Sequence, residues 1–439
     1  MSDSPAPDNA FYVLVTGANS GLGLGIGARL IDEFLQTRPQ DESLVLIITT
    51  RDQRKGDATI AFLEEQLRKV CRKAEKTLPG VSQVLQRRVL LRQERLDLLS
   101  LVSVQKLSKK LRDTLPKLDV VICNAGIGGW TGINWPLAVK TVLTGWKSAT
   151  TWPTYKISGV GWKTKPQLPP NKDGSTREEP LLGEVFCANF FGHYMLGHYL
   201  APLLAKRTRT EPNLGRLVWT SSLEAYEHSL DMQDIQCLTG EQAYESSKRL
   251  ADLMAVTSVL PSTEPHVNRY LAYEQPHEKT TKPRIYLSHP GITHTPIMPL
   301  ILVIDYVWRL VCYISRWVGS QWHVVTVDKG AVSAVWLALA KQSTLDSMEQ
   351  KEGVGKWGSA IDVWGNERVE RTEMEGWGWG GKVGETPRKF GRSPYAKTLT
   401  REDQEKFVRD GEKCWEELER LREDWENRLD EAGVGVSMD

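Results

Sequence analysis

The stretch 11–27, FYVLVTGANSGLGLGIG, constrains this chain more than any other. It opens with an apolar, β-branched run of the length and kind expected of a central parallel strand. Gly17, Gly21 and Gly23 follow, and then Ile26, Leu30, Ile31 and Phe34 continue as the apolar face of a helix. A strand, a glycine turn and a helix in that order leave free backbone N–H groups at the helix start, where a pyrophosphate binds. In that context the glycines read as a dinucleotide-binding fingerprint. Gly25 and Gly27 fall inside the helix and cost about 1 kcal/mol each relative to alanine. The helix is therefore expected to press closely on the sheet or on the ligand.

A chain of 439 residues accommodates one elaborated α/β domain with additions. The formal net charge of +1 gives no electrostatic footprint for nucleic acid, and no nucleic-acid partner is expected. Cys71, Cys123, Cys187, Cys237, Cys312 and Cys414 lie far apart, without a C-x-x-C pair or a His/Cys cluster. That argues against zinc or a disulfide framework, and for a reducing compartment. The start, MSDSPAPDNA, shows no signal-peptide pattern. The expected organisation is a flexible 1–10, a nucleotide-binding domain over 11–345, and a C-terminal extension over 346–439 ending in an amphipathic helix.

Along the chain, 43–50 (SLVLIITT) reads as a second buried strand, followed by Arg51, Arg54 and Lys55. Where this strand meets an adenine ribose, an acid accepts from the 2′-hydroxyl of NAD and a base favours the 2′-phosphate of NADP. Arg51 points to NADP(H); Asp52, beside it, keeps NAD open. A charged helix over 58–76, a strand over 88–92 with Leu96-Asp97 beyond it, and a further helix follow. The strand 118–123 ends in Asn124-Ala125-Gly126, a small turn where a doubly wound sheet opens its ligand crevice. Residues 127–180 break the alternation. Trp130, Trp135, Trp146, Trp152 and Trp162 suggest a folded insertion near the crevice, and the proline-rich half a surface loop. Alternation resumes with a helix over 184–204 carrying Asn189, His193 and His198, and a strand over 216–222. A helix over 244–260 is stopped by Pro261, and a strand over 284–288 leads into His289-Pro290-Gly291. The fold class is α/β, a Rossmann-like doubly wound parallel sheet with a tryptophan-rich insertion and a C-terminal extension.

Tyr244 and Lys248 stand four apart and share one helix face. A neighbouring ammonium stabilises a phenolate and lowers the tyrosine's proton affinity, suiting the pair to proton transfer at a carbonyl or alcohol oxygen. Upstream, a strand ends in Ser221-Ser222.

With these residues in view, the chain resembles the short-chain dehydrogenase/reductases over roughly 11–340. The matching elements are Thr16-Gly17-Ala18-Asn19-Ser20-Gly21-Leu22-Gly23, Leu96-Asp97, Asn124-Ala125-Gly126, Asn189, and Pro290-Gly291 with Thr295. The resemblance implies a catalytic set of Asn189, Ser222, Tyr244 and Lys248. It also implies cofactor contacts from the glycine turn, Asp97, the Asn124 turn and the Pro290 loop. In this scheme Tyr244 gives a proton to a ketone oxygen, Ser222 hydrogen-bonds it, Lys248 holds the nicotinamide ribose and Asn189 orders a water. Ser222 lies unusually far before Tyr244, which makes 223–241 a candidate lid over the substrate.

The stretch 295–318 is the most apolar in the chain, but Asp305, Arg309 and Arg316 interrupt it, so a membrane-spanning helix is not expected. Two readings stay open for 296–318: a helix lying in a membrane surface, or a helix capping the substrate. A segment foreign to most of the family follows, with WGSA at 357–360, WGNE at 364–367 and GWGWG at 376–380. Thr400 and Asp403 begin a last helix with an apolar stripe at Trp415, Leu418, Leu421, Trp425 and Leu429, expected to dock. These additions, with Asn134-Trp135-Pro136, resemble the fungal sterol-ketone-reducing branch of the family. That resemblance implies NADPH-dependent reduction of a 3-keto sterol to the 3β-alcohol after C-4 demethylation in ergosterol biosynthesis. It also implies an endoplasmic-reticulum membrane or lipid-droplet location, on the cytosolic face, beside other sterol C-4 demethylation enzymes. The alternatives are reduction of another lipid ketone (a retinoid, another steroid, an acyl chain), or a scaffold among sterol enzymes.

Overall fold

In the computed structural model, which describes residues 9–159, 163–171, 173–206, 214–272, 281–295, 297, 302–385 and 391–434, seven parallel strands form the centre of the molecule. They are β1 (Ala10–Val15), β2 (Ser43–Thr50), β3 (Val89–Arg95), β4 (Val120–Cys123), and, beyond a two-stranded hairpin of β5 (Trp130–Ile133) and β6 (Lys156–Ser158), β7 (Arg216–Thr220), β8 (Arg284–His289) and β9 (Lys356–Ile361). An eighth strand, β10 (Glu367–Thr372), pairs antiparallel to β9 at the edge, giving the order β10-β9-β8-β7-β4-β1-β2-β3. β1, β2, β4 and β7 are buried along their whole length, as apolar strands covered on both faces must be. Glu367, Arg368 and Glu370 give β10 the charged character that protects a sheet edge from pairing further.

One face of the sheet is covered by the helix Gly21–Thr37 and the helix Val332–Leu339. The other carries Leu101–Thr114, Gly192–Ala205 and Ala243–Thr257. The expected 184–204 helix contains a wider, π-type turn at Cys187–Phe191, which carries Asn189. The helix bearing Tyr244 stops at Thr257, before Pro261 is reached. Hydroxyls take up its last carbonyls: Thr257 Oγ1 donates to Leu253 O at 2.7 Å and Ser258 Oγ to Ala255 O at 2.6 Å.

Two additions differ from expectation. The first part of the C-terminal extension enters the main sheet as β9 and β10 instead of lying outside it. The proline-rich part of the insertion is anchored: Gln167 is buried, and its side-chain oxygen accepts from Leu101 N–H at 2.9 Å, at a helix start. The tryptophan-bearing part folds as the β5–β6 hairpin around the helix Trp135–Thr151, with Trp162 outside the described residues. The final helix, Arg401–Glu431, begins in a capping box of Thr400 and Asp403. Its stripe is buried on the Tyr244 helix and on Glu264–Tyr270. Gly411 permits the approach, since a Cβ there would lie 2.4 Å from Thr257 Cγ2.

Candidate active site

The glycine turn is shaped by contacts that a side chain would destroy. Gly17 has φ +64°, and a Cβ on it would lie 2.7 Å from the Cβ of Ala125; one on Gly23 would lie 2.4 Å from the Gly17 carbonyl oxygen. Gly21, at φ +51°, starts the helix, and Ser20 before it makes no side-chain cap. The helix start therefore faces the crevice without an internal acceptor from its cap residue, the arrangement that suits a diphosphate. Thr16 sits beneath this turn and is fully buried. Its hydroxyl accepts from the N–H groups of Asn124 (2.9 Å) and Ala125 (3.0 Å), while Asn124 Nδ2 donates to Thr16 O at 2.9 Å. Thr16 thus ties β1 to β4 instead of lining the crevice.

The crevice is a cavity of about 450 Å³. Gly17, Asn19, Ser20, Gly21, Leu22 and Gly23 line it, together with Arg51, Asp97, Asn124, Ala125 and Gly126. So do Ser222, Tyr244, Lys248, Pro290, Gly291 and Thr295. Of the residues expected from the sequence, Thr16 and Asn189 alone stay out of the lining. Asn189 is turned to the backbone behind the Asn124 turn: its Oδ1 accepts from Ile127 N–H at 2.7 Å and its Nδ2 donates to Ile127 O at 2.9 Å. Its Nδ2 also donates to Ser247 Oγ at 3.2 Å, so the amide N–H groups are taken up by the protein. Lys55 joins Arg51 on the wall. Asp52 instead caps its own helix, accepting from Lys55 N–H at 2.9 Å.

Ser221 and Ser222 point to different partners. Ser221 Oγ donates to the buried Asp252 carboxylate at 2.5 Å. Ser222 and Tyr244 line the same cavity, and Glu224 N–H donates to Ser222 Oγ at 3.1 Å. Lys248 Nζ donates to Thr220 O at 2.8 Å and stands 5.5 Å from the Tyr244 ring centre. Burial pulls the Lys248 ammonium down to about 8, against the attraction of Asp252. The Tyr244 phenol is pushed up, first by burial and then by Glu224 and Glu245, with the Ser222 hydroxyl opposing. This corrects the expectation of a phenol made acidic by its neighbouring amine. The lysine faces a carbonyl, and the charges acting on the phenol are carboxylates. Burial and the two carboxylates favour the neutral phenol, the state a proton donor requires.

The chain can now be set beside known proteins. No family model matches it. A 3-keto-steroid reductase of Aspergillus fumigatus is 43% identical over 438 residues, covering 96% of this chain and 95% of its own. The chain belongs to the 3-keto-steroid reductase family. A second such reductase, of Gibberella zeae, is 39% identical and covers 97% of this chain and 96% of its own; that of Schizosaccharomyces pombe is 33% identical, over 83% and 90%. Among solved structures, the Pseudomonas aeruginosa RhlG/NADP active-site complex is similar at 16% identity and a TM-score of 0.43, over 77% of this chain and 93% of that one.

As a member of this reductase family the chain is an oxidoreductase, and its site contains residues that motif reading did not find. Trp130, from the insertion, lies over Tyr244 with ring centres 4.8 Å apart. Pro153 and Tyr155 of the insertion, with Ile297 and Trp308, line the same cavity. The candidate lid is corrected accordingly. Of 223–241 only Glu224 reaches the cavity, while Tyr226 and Glu227 turn to the tail: Tyr226 packs on Tyr395 at 5.3 Å and Glu227 N–H donates to Glu375 at 3.1 Å. Behind the serines, Lys356 of β9 donates to Asp252 Oδ2 at 2.5 Å and to Ser222 O at 3.0 Å. His289 accepts from Gly291 N–H at Nδ1 (3.1 Å), so its Nε2–H donates to Thr372 of β10 at 2.6 Å. No fixed motif spacing announces these partners, because each is brought in by a strand or loop distant in sequence. Among the described residues, no group of side chains could hold a metal ion.

Proposed function

We propose that the chain reduces the C-3 ketone of a sterol intermediate to the 3β-alcohol, after C-4 demethylation in ergosterol biosynthesis, with NADPH as cofactor. The observation that carries this reading is one cavity lined by Tyr244, Ser222 and Lys248 together with the glycine cradle and Arg51. The family relationship supports the sterol ketone. Apolar and aromatic groups in the lining, Ile127, Trp130, Pro153, Tyr155, Ile297 and Trp308, suit a large apolar substrate.

The glycine turn with Asn19 and Ser20 would hold the diphosphate. Leu96 and Asp97 would meet the adenine, and Asn124 to Gly126, Lys248 and Pro290 to Thr295 the nicotinamide end. The bound nicotinamide supplies the hydride. Tyr244 donates its proton to the ketone oxygen as charge develops there. Ser222, its oxygen fixed by the Glu224 N–H, turns its own proton toward that oxygen and stabilises the charge. Lys248 is oriented by the Thr220 carbonyl. Incubating the detergent-purified protein with NADPH and a panel of ketones tests the assignment. Turnover of retinoid or acyl ketones without turnover of a 3-keto sterol rejects it.

NADPH is favoured because Arg51 and Lys55 line the cavity while the Asp52 carboxylate is spent on a helix cap. Arg51→Ala is expected to lower the NADPH-over-NADH ratio of kcat/KM by about 10–100-fold, the worth of one charge-assisted hydrogen bond. An unchanged ratio reassigns the 2′-phosphate partner.

The protein works at the cytosolic face of an endoplasmic-reticulum membrane or lipid droplet, beside other sterol C-4 demethylation enzymes. Support comes from two packed helices, Trp135–Thr151 and Leu302–Trp317. The first exposes Trp135, Val139 and Leu143, and the second Tyr306, Leu310 and Trp317. No described helix is long and apolar enough to cross a membrane. The protein is expected to float with phospholipid vesicles in high salt, and Leu143→Glu with Leu310→Glu to abolish flotation. Salt-released wild-type protein contradicts apolar insertion.

A further inference from the structure

Lys156 opens β6 of the inserted hairpin, and its side chain is only 4% exposed. The ammonium pairs with Glu224 and, at 3.2 Å, with Glu245 Oε1. It also stands 3.9 Å above the Trp130 ring and 5.5 Å from the Tyr244 ring centre. One side chain thus touches three segments. Glu224 follows the strand end that carries Ser222, Glu245 is next to Tyr244 on its helix, and Trp130 lies on the paired strand and covers the phenol ring. An exposed ion pair between loops has little effect on geometry. A buried ammonium shared by the buried Glu245 and the half-buried Glu224 cannot leave without stranding them, so it holds all three segments in one arrangement.

We propose that Lys156, with Glu224 and Glu245, is a positioning device that seats the inserted hairpin on Tyr244 and aims its hydroxyl into the cavity. The inference rests on the reading of Tyr244 as the proton donor. Two carboxylates face one ammonium, and the surplus negative charge has a consequence. Burial and Glu245 push the Glu224 carboxyl up against the pull of Lys156, and both carboxylates raise the proton affinity of Tyr244. The other titratable groups affected by these carboxylates are Tyr155, beside Glu224, Tyr226, beside both, and Cys237, beside Glu245. Lys248, bonded to Thr220 O, also stands 5.5 Å from the phenol ring centre. The device both orients the acid and keeps it loaded.

The test uses the full-length, detergent-purified enzyme with a 3-keto sterol, comparing Lys156→Met, Lys156→Arg, Glu224→Gln and Tyr244→Phe. Lys156→Met is expected to lower kcat by about 10–100-fold, the scale of an ångström-level misplacement, with NADPH affinity by fluorescence titration unchanged. Lys156→Arg is expected to restore much of the rate. In Glu224→Gln the alkaline limb of the kcat profile moves to lower pH, because a charge that holds the proton on Tyr244 has gone; a merely structural role leaves that limb in place. Lys156→Met at wild-type kcat, or an unmoved limb in Glu224→Gln, overturns the inference while an inactive Tyr244→Phe leaves the donor reading standing. An active Tyr244→Phe overturns both. Where Lys156→Met does not fold, the limb in Glu224→Gln decides alone.

Discussion

Tyr244→Phe is expected to lower kcat for sterol ketone reduction by about 10²–10⁴-fold, the range ascribed to a positioned general acid. The substitution removes one oxygen and keeps the ring, so the packing of Trp130 at 4.8 Å remains. NADPH affinity is expected to stay near wild type, since the glycine turn, Arg51 and the Asn124 turn are untouched. The loss therefore belongs to kcat and not to cofactor binding, and single-turnover NADPH oxidation under saturating sterol measures it. Ser222 keeps its Glu224 N–H and can still stabilise charge on the oxygen, which accounts for the residual rate. A variant within about threefold of wild type would move the proton donor elsewhere.

The second large effect is on stability. Asp252 is completely buried and is met by two donors, Ser221 Oγ and Lys356 Nζ, each at 2.5 Å. Lys356→Met leaves that carboxylate without its cation, and the expected loss is about 3–5 kcal/mol of folding stability in chemical denaturation. Pairing it with Asp252→Asn removes the stranded charge while keeping an acceptor for Ser221, and most of the stability returns. Activity does not return with it. The Ser222 carbonyl still lacks its 3.0 Å donor, and Lys248 has lost the carboxylate that supports its ammonium. A single variant as stable as wild type would show that the Asp252 carboxylate does not depend on Lys356.

What was legible in the chain was local. FYVLVTGANSGLGLGIG became β1, the turn and the Gly21–Thr37 helix because strand, glycines and apolar helix face all lie within one short stretch. Arg51, Asp97, the Asn124 turn and the Pro290 loop are strand ends, and a parallel sheet brings strand ends to one crevice. What was not legible depends on distant partners. The Tyr244–Lys248 spacing suggests an acidified phenol, but Glu224, brought in from beyond the β7 strand end, joins the adjacent Glu245 to oppose it. WGSA at 357–360 looked like tail and is strand, because its pairing partner is β8 and not a neighbour in sequence. The long gap between Ser222 and Tyr244 suggests a lid over 223–241, but its partners, Tyr395 and Glu375, lie in the tail. Thr16 carries a motif position, yet its hydroxyl serves two backbone N–H groups of the turn after β4, Asn124 and Ala125.

β9 and β10 also bear on when the protein becomes competent. Lys356 neutralises Asp252, and Thr372 receives the His289 proton that sets the turn at Gly291, yet both come from the last quarter of the polypeptide. Until residues 356–372 are in place, the Asp252 carboxylate lacks the Lys356 ammonium and His289 lacks its Thr372 partner. A shortened product ending before 356 has neither partner.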